Sequence, residues 1–397
     1  MGTAPTLVCN LMDDRAVALG IGGADLGVSV LDGSELWLMF GDTASIGPAG
    51  AGPGSRPLVG ASSVIESQLP FNCSSYSWLT TSGGKFYQPL HSAREPGADE
   101  STVPAGAITL SGTMYIYSMQ VNKWGPPSQA DAHGVLFKEQ ANGAFAELTR
   151  WPMDKLFVNT SPVAAELPDG TPVIFLATTA QYRDSPIYLA YVVPSEIGNA
   201  AAYRYLTGYD ENGSPLWSAD MAEAKPLPGF ENVWAGELSF LYDAPLKSYL
   251  LMFKDYSSKS FVLYWSPYGQ FEGPLTFSPC GTSSNRPQWM KSGWGGCYGG
   301  YMLPDSFGAD GHDLYFDISL WDPYTTVLMT MRLSTSSTTS STSQATSKSS
   351  ISTSSTSTAE TTSSEQSYDA AFVLPLFVAV PVCGVVAARK YVRRNRH

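Results

Sequence analysis

Five apolar hairpins, each closed by a short polar turn, recur along the first 333 residues. They span residues 27–40, 107–119, 162–178, 237–255 and 314–333. Within them Val, Ile, Leu, Phe, Tyr and Trp crowd the strands, and Gly, Asp, Asn and Pro mark the turns. Further short strands follow, such as 185–193 and 261–267. No stretch before residue 334 has the 3.6-residue apolar period of a long amphipathic helix. Five similar antiparallel units in one chain imply radial repetition, which leaves only short, protected sheet edges. The expectation is an all-β fold, a five-bladed β-propeller over residues 20–333. Residues 1–19 would precede it, and a strand within 7–20 would close the ring against the last blade. A two-sheet sandwich is the alternative, but 333 residues is large for one sandwich.

The C-terminus has a different composition. Residues 370–388 form an uncharged, mostly apolar run of 19 residues. At about 1.5 Å rise per residue it spans about 28 Å, close to the hydrocarbon thickness of a bilayer. Arg389, Lys390, Arg393, Arg394 and Arg396 follow within 389–397. An excess of positive charge on that side places the tail in the cytoplasm and the rest of the chain outside. Between the hairpins and this run lies a Ser/Thr-rich segment, 334–369; of the 35 residues from Ser334 to Tyr368, 26 are Ser or Thr. So little apolar surface cannot offset the entropy of folding, so a disordered stalk is expected, suited to O-glycosylation. Extended at about 3.3 Å per residue, it would reach about 115 Å. The expected address is the cell membrane, single-pass, with a single C-terminal transmembrane helix. The first residues, MGTAPTLVCNLMDD, lack the basic head and apolar run of an export signal, so either the natural start lies upstream, which is the favoured expectation, or the C-terminal helix itself directs insertion.

The chain carries 23 Lys and Arg against 35 Asp and Glu, a net charge of −12. Residues 1–333 alone carry 17 Lys and Arg against 32 Asp and Glu, which argues against nucleic acid or an anionic membrane face as their partner. Of the cysteines, Cys280 and Cys297 share one Gly-rich segment and are the favoured disulfide pair, given an oxidising location. Asn72, Asn159 and Asn212 each open an Asn-x-Ser sequon. No CxxC or His/Cys cluster points to a metal, and no cofactor is implied; a calcium ion in a central channel would be compatible with the pattern but is not required by it.

The first hairpin carries the strongest chemical signal. Asp25 lies just before its first strand and Asp42 just after its second. With the turn at Asp32–Ser34, facing residues have numbers summing to about 66; Asp25 and Asp42 sum to 67 and so sit at the same hairpin end. Two carboxylates this close titrate as a coupled pair, one raised relative to the other. Glycosidases use that arrangement: one group protonates the leaving oxygen while the other is base or nucleophile. The competing role is structural, because Asp beside Gly or Thr commonly caps a turn. Glu237 occupies a comparable strand start and ranks third. Trp124, His133 and Trp234 are candidate platforms for a sugar ring, and Asn159, Tyr298 and Tyr301 sit near other hairpin ends. Core packing and strand capping are the alternative roles for each.

The segments Ala24-Asp25-Leu26-Gly27 and Trp37-Leu38-Met39-Phe40-Gly41-Asp42-Thr43 resemble the opening of the domain-of-unknown-function 4185 family. The segments at 236–239 and 249–252 are similar to its fourth blade, and Tyr298–Pro304 with Leu320–Tyr324 to its last. The resemblance covers most of residues 20–333. It implies a five-bladed propeller related to the glycoside hydrolase family 183 endo-D-arabinofuranases. It also implies that Asp25 and Asp42 are the catalytic pair, with Glu237 a further acid by similarity to other five-bladed glycosidases. The partner would then be an extracellular polysaccharide or glycan, either cleaved or, in the alternative reading, bound by a non-catalytic adhesion module.

Overall fold

The computed structural model describes residues 3–45, 58–60, 63–90, 101–123, 131–153, 155–266, 271–281, 287–288, 290, 296–307 and 313–333. The expected stalk, membrane span and tail at 334–397 lie outside the described residues, as does Trp124. Among the described residues no helix is long and apolar enough to cross a membrane.

The fold is all-β, a five-bladed propeller. Blade 1 runs outward from Leu26–Asp32 through Glu35–Phe40 and Ser63–Gln68 to Ser77–Trp78. Blade 2 is Ser101–Leu110, Thr113–Lys123, Asp131–Glu139 and Phe145–Arg150. Blade 3 begins with Thr160–Glu166 and Pro172–Thr178, and continues through Tyr188–Val192 and Arg204–Tyr209 to a fifth strand, Pro215–Ser218. Blade 4 is Ala235–Asp243, Ser248–Asp255, Ser260–Ser266 and Glu272–Phe277. Blade 5 is Cys297–Phe307, Asp313–Leu320, Thr325–Arg332 and, outermost, the N-terminal strand Thr6–Asn10. The five innermost strands contact one another in cyclic order, including blade 5 against blade 1, so the ring is closed.

Each blade is sandwiched between two others, which explains the strand sequences. Second strands such as Glu35–Phe40 are buried on both faces and read as continuous apolar runs. Outer strands such as Phe145–Arg150 are largely exposed and carry polar residues. Five large apolar clusters fill the five seams between neighbouring blades. Two disulfides cross blade boundaries. Cys9–Cys73 ties the N-terminal strand of blade 5 to blade 1, and Cys280–Cys297 ties the end of blade 4 to the start of blade 5.

Blade 5 departs from the sequence reading. The hairpin at 314–333 is its second and third strands, whereas the hairpins of blades 1 to 4 are first and second strands. The inner strand is Cys297–Phe307, so Tyr298 and Tyr301 lie within it. Gly299 and Gly300 interrupt this strand's apolar pattern, which hides it from a periodicity argument. A small three-stranded sheet, Ile21–Gly23, Thr43–Ser45 and Leu58–Gly60, adds to the end of blade 1.

Candidate active site

The starts of inner strands and the ends of second strands meet at one mouth of the ring. Blade 1 supplies Asp25 and Asp42, blade 2 Ser101, blade 3 Arg183, blade 4 Glu237 and Tyr256, and blade 5 Tyr298 and Tyr324. Side-chain contacts between blades join them, as follows.

Asp25 and Asp42 flank the end of the first hairpin. Leu26 pairs with Phe40, and the backbone carbonyl of Asp25 accepts from Gly41 N–H at 2.8 Å. A side chain on Gly41 would meet Asp25 Oδ1 at 2.6 Å, so glycine is what admits the carboxyl there. The strand begins with an irregular step: Leu26 has φ +64° and Gly27 φ +131°. Such backbone persists where its surroundings over-determine it. Here the neighbours are in blade 5. Leu26 N–H donates to Ser319 Oγ at 2.7 Å, and Gly27 lies directly against the Asp317 carboxyl.

Tyr298 Oη donates to Asp25 Oδ2 at 2.9 Å, while Asp25 Oδ1 is buried with no hydrogen-bond partner among the described residues. Burial, and then the charge of Asp42, push the Asp25 carboxyl well above the usual carboxylate range, with Glu237 adding to the effect; the Tyr298 and Tyr324 hydroxyls oppose it. Asp25 therefore holds a proton where an ordinary aspartate would not. Ser101 Oγ donates to Asp42 Oδ1, and Tyr324 Oη donates to the Asp42 backbone carbonyl at 2.7 Å. Burial and the nearby Asp25 raise both tyrosines well above their ordinary value, so they remain donors at neutral pH.

Beside this pair stands an ion pair in an aromatic cage. Arg183 Nη2 and Nε both donate to Glu237 Oε1, at 2.5 and 3.1 Å. The guanidinium lies 4.5, 4.9 and 5.1 Å from the ring centroids of Tyr182, Tyr256 and Tyr298. Burial works most strongly against its charge, but the Glu237 carboxylate with Tyr182 and Tyr256 together more than offset burial and raise its proton affinity. Glu237 Oε2 is buried and unpartnered among the described residues. Tyr298 thus links the two clusters, with its hydroxyl on Asp25 and its ring facing Arg183.

The other residues singled out from sequence divide clearly. Tyr301, on the inner strand of blade 5, is buried against the apolar cluster of blades 1 and 2. Asn159 is buried at the start of the inner strand of blade 3, with its Nδ2 unpartnered among the described residues, so its sequon is enclosed in the folded chain. His133 sits in the third strand of blade 2, enclosed and held by Gln120 and Arg150; a ring so enclosed offers no face to a sugar. Trp234 is 48% exposed at the start of the inner strand of blade 4, three residues before Glu237. Sequence reasoning missed Ser101, Arg183, Tyr256 and Asp317. Trp321 and Tyr324 stood only inside a motif. Position at a second-strand end was the available signal for Arg183, Tyr256, Trp321 and Tyr324.

The fold and mouth define a five-bladed propeller with paired carboxyls at one end of its channel. The chain belongs to the family described as domain of unknown function (DUF4185), whose sequence profile matches residues 12–330. Comparison with curated proteins finds no match. Among solved structures, a protein of Bacteroides ovatus ATCC 8483 named as a candidate hydrolase is similar in fold, with a TM-score of 0.52 at 14% identity, over 80% of this chain and 89% of that one. A Bacillus subtilis arabinanase aligns with a TM-score of 0.40 at 10% identity, over 78% of this chain and 95% of that one. A xylan β-1,4-xylosidase of Bacillus halodurans C-125 aligns at 0.41 and 12% identity, over 78% of this chain and 53% of that one.

Proposed function

We propose that the protein is a glycoside hydrolase that cleaves furanosidic polysaccharide outside the cell, with Asp25 as acid and Asp42 as base or nucleophile. The observation that carries this reading is the asymmetry of the pair. Asp25 is buried and holds its proton; Asp42 lies beside it, oriented by Ser101. Asp25 would deliver its proton to the departing glycosidic oxygen. Asp42 would supply the electron pair, either to a water attacking the anomeric carbon or to that carbon directly. Glu237 is tied to Arg183, so the acid role falls to Asp25 and Glu237 becomes part of the wall. The furanoside class rests on the family resemblance.

The test is reducing-end release from D-arabinan and a panel of related furanosides by wild type, Asp25→Asn and Asp42→Asn. Loss of turnover in both variants is expected. Turnover equal to wild type in either would remove the role assigned to that residue. Binding without turnover by wild type would replace the enzyme with a glycan-binding module.

The same reading places the propeller on the outer cell surface, anchored by residues 370–388 through the 334–369 stalk. Two disulfides are in keeping with an oxidising compartment. A chain ending at residue 333 should leave the membrane fraction, whereas the full chain should stay in it. Equal partitioning of the two would defeat the anchor.

A further inference from the structure

The turn after the second strand of blade 5 carries Trp321, at 57% the most exposed large apolar side chain among the described residues. Single exposed apolar residues are ordinary. Trp321 differs in how it is held and in what it touches. Its backbone N–H donates to the Gly296 carbonyl at 3.2 Å. At the far end of the turn, Tyr324 donates to Asp42, and its carbonyl packs on Gly23 so closely that a Cβ there would lie 2.1 Å away. The turn is therefore pinned at both ends. The indole centroid lies 6.0 Å from that of Tyr298 and 6.3 Å from that of Tyr324, with the rings steeply inclined at 65° and 82°. These are the tyrosines bonded to Asp25 and Asp42. A fixed, open indole thus stands one ring away from the Asp25 carboxyl and one ring away from the Asp42 backbone carbonyl.

A rigid exposed aromatic beside polar groups suits a ligand with one apolar face and hydrated edges. A sugar ring is such a ligand: its C–H face covers the indole while its hydroxyls stay hydrogen-bonded. The charges at the mouth narrow the class. Asp42 and Glu237 stand there beside the protonated Asp25, Arg183 is committed to Glu237, and Lys254 Nζ donates to the Cys297 carbonyl at 2.5 Å. An acidic sugar would meet carboxyls whose neighbouring cations are already engaged.

We infer that Trp321 is the platform on which an uncharged sugar ring stacks, adjoining the Asp25–Asp42 pair. The inference rests on the mouth being a glycan site and does not require turnover. The test uses the full chain in detergent with Asp42→Asn to stop turnover, titrated calorimetrically with linear D-arabino-oligosaccharides and, separately, with oligogalacturonate. Adding Trp321→Ala should weaken arabino-oligosaccharide binding at least about tenfold, or about 1.4 kcal/mol. Trp321→Phe should restore most of it, and Leu216→Ala, on the outermost strand of blade 3, should leave it unchanged. With Asp42 intact, Trp321→Ala should raise KM with little change in kcat. Unchanged affinity and KM in Trp321→Ala would overturn the platform, as would oligogalacturonate binding as tightly as the neutral sugar. Binding that depends on Trp321 without turnover in wild type would sink the hydrolase reading and leave the platform standing. Turnover with KM indifferent to Trp321 would do the reverse.

Discussion

Between blades 2 and 3 the largest fully buried side chains among the described residues pack without charge. Trp151 stacks on Phe157 at 4.2 Å between centroids and meets the edge of Tyr203 at 5.6 Å. The Tyr117 and Tyr203 hydroxyls bond each other at 2.9 Å, and Tyr203 donates onward to the Ile197 carbonyl. Between blades 5 and 1 the packing is of another kind. Asp317 is buried against Gly27 with neither oxygen bonded among the described residues, and the backbone beside it passes through two positive φ angles before reaching Asp25. Burial pushes Asp317 well above the ordinary carboxylate range, with only the Tyr301 backbone N–H opposing it, so this seam holds a second protonated acid. An uncompensated buried carboxyl costs stability, and strained backbone adds to that cost. One seam maximises packing; the other gives up stability around the group that needs a raised proton affinity.

Four substitutions sharpen the contrast. Trp151→Ala should cost about 3–5 kcal/mol in denaturant unfolding, the usual range for losing a fully buried ring. Per folded molecule, its hydrolysis should be unchanged; an equal loss of activity would tie the two seams together. Asp42→Asn should do the opposite, lowering kcat about 100-fold or more while leaving the unfolding midpoint unchanged or higher.

Asp317→Asn tests the cost of the polar seam. Its folded-state proton affinity is raised, so across the window between the ordinary value of about 3.9 and the raised one, the folded chain binds the extra proton. Stability from this group is therefore complete at low pH and lost as pH rises through that window. The asparagine variant should match wild type near pH 4 and be more stable at pH 7, by about 1–2 kcal/mol. A destabilised variant at pH 7 would mean the carboxyl is paired after all. The smallest effect belongs to Tyr117→Phe, about 0.5–1.5 kcal/mol for one buried hydroxyl pair, read from the same unfolding curves.

The contrast also explains what could be seen in the sequence. Hairpins whose strands are buried on both faces announce themselves as apolar runs, so residues 27–40 and 237–255 are legible, and with them the blade count. The Asp25–Asp42 juxtaposition is legible because it depends only on the register of one hairpin. Arg183 and Tyr256 are not, because they reach the mouth through contacts between blades 3, 4 and 5 that no local pattern encodes. Asp317 looks like an ordinary strand aspartate; only the approach of Gly27 from another blade makes it a buried acid. His133 is a candidate platform in the sequence because it is an aromatic ring, but Gln120 and Arg150 enclose it, which no local pattern encodes.

The central claim is that Asp25 keeps its proton because it is buried and, next, because Asp42 stands beside it. Carbon-13 labelling of the aspartate carboxyls, followed by NMR titration of wild type, Asp42→Asn and, for assignment, Asp25→Asn, tests this without any substrate. The account predicts one carboxyl, absent in Asp25→Asn, that titrates well above about 3.9 and moves down when Asp42 is neutralised. A second high-titrating carboxyl, Asp317, should not respond. If the Asp25 signal titrates in the ordinary range, or is indifferent to Asp42→Asn, the acid–base pair is contradicted.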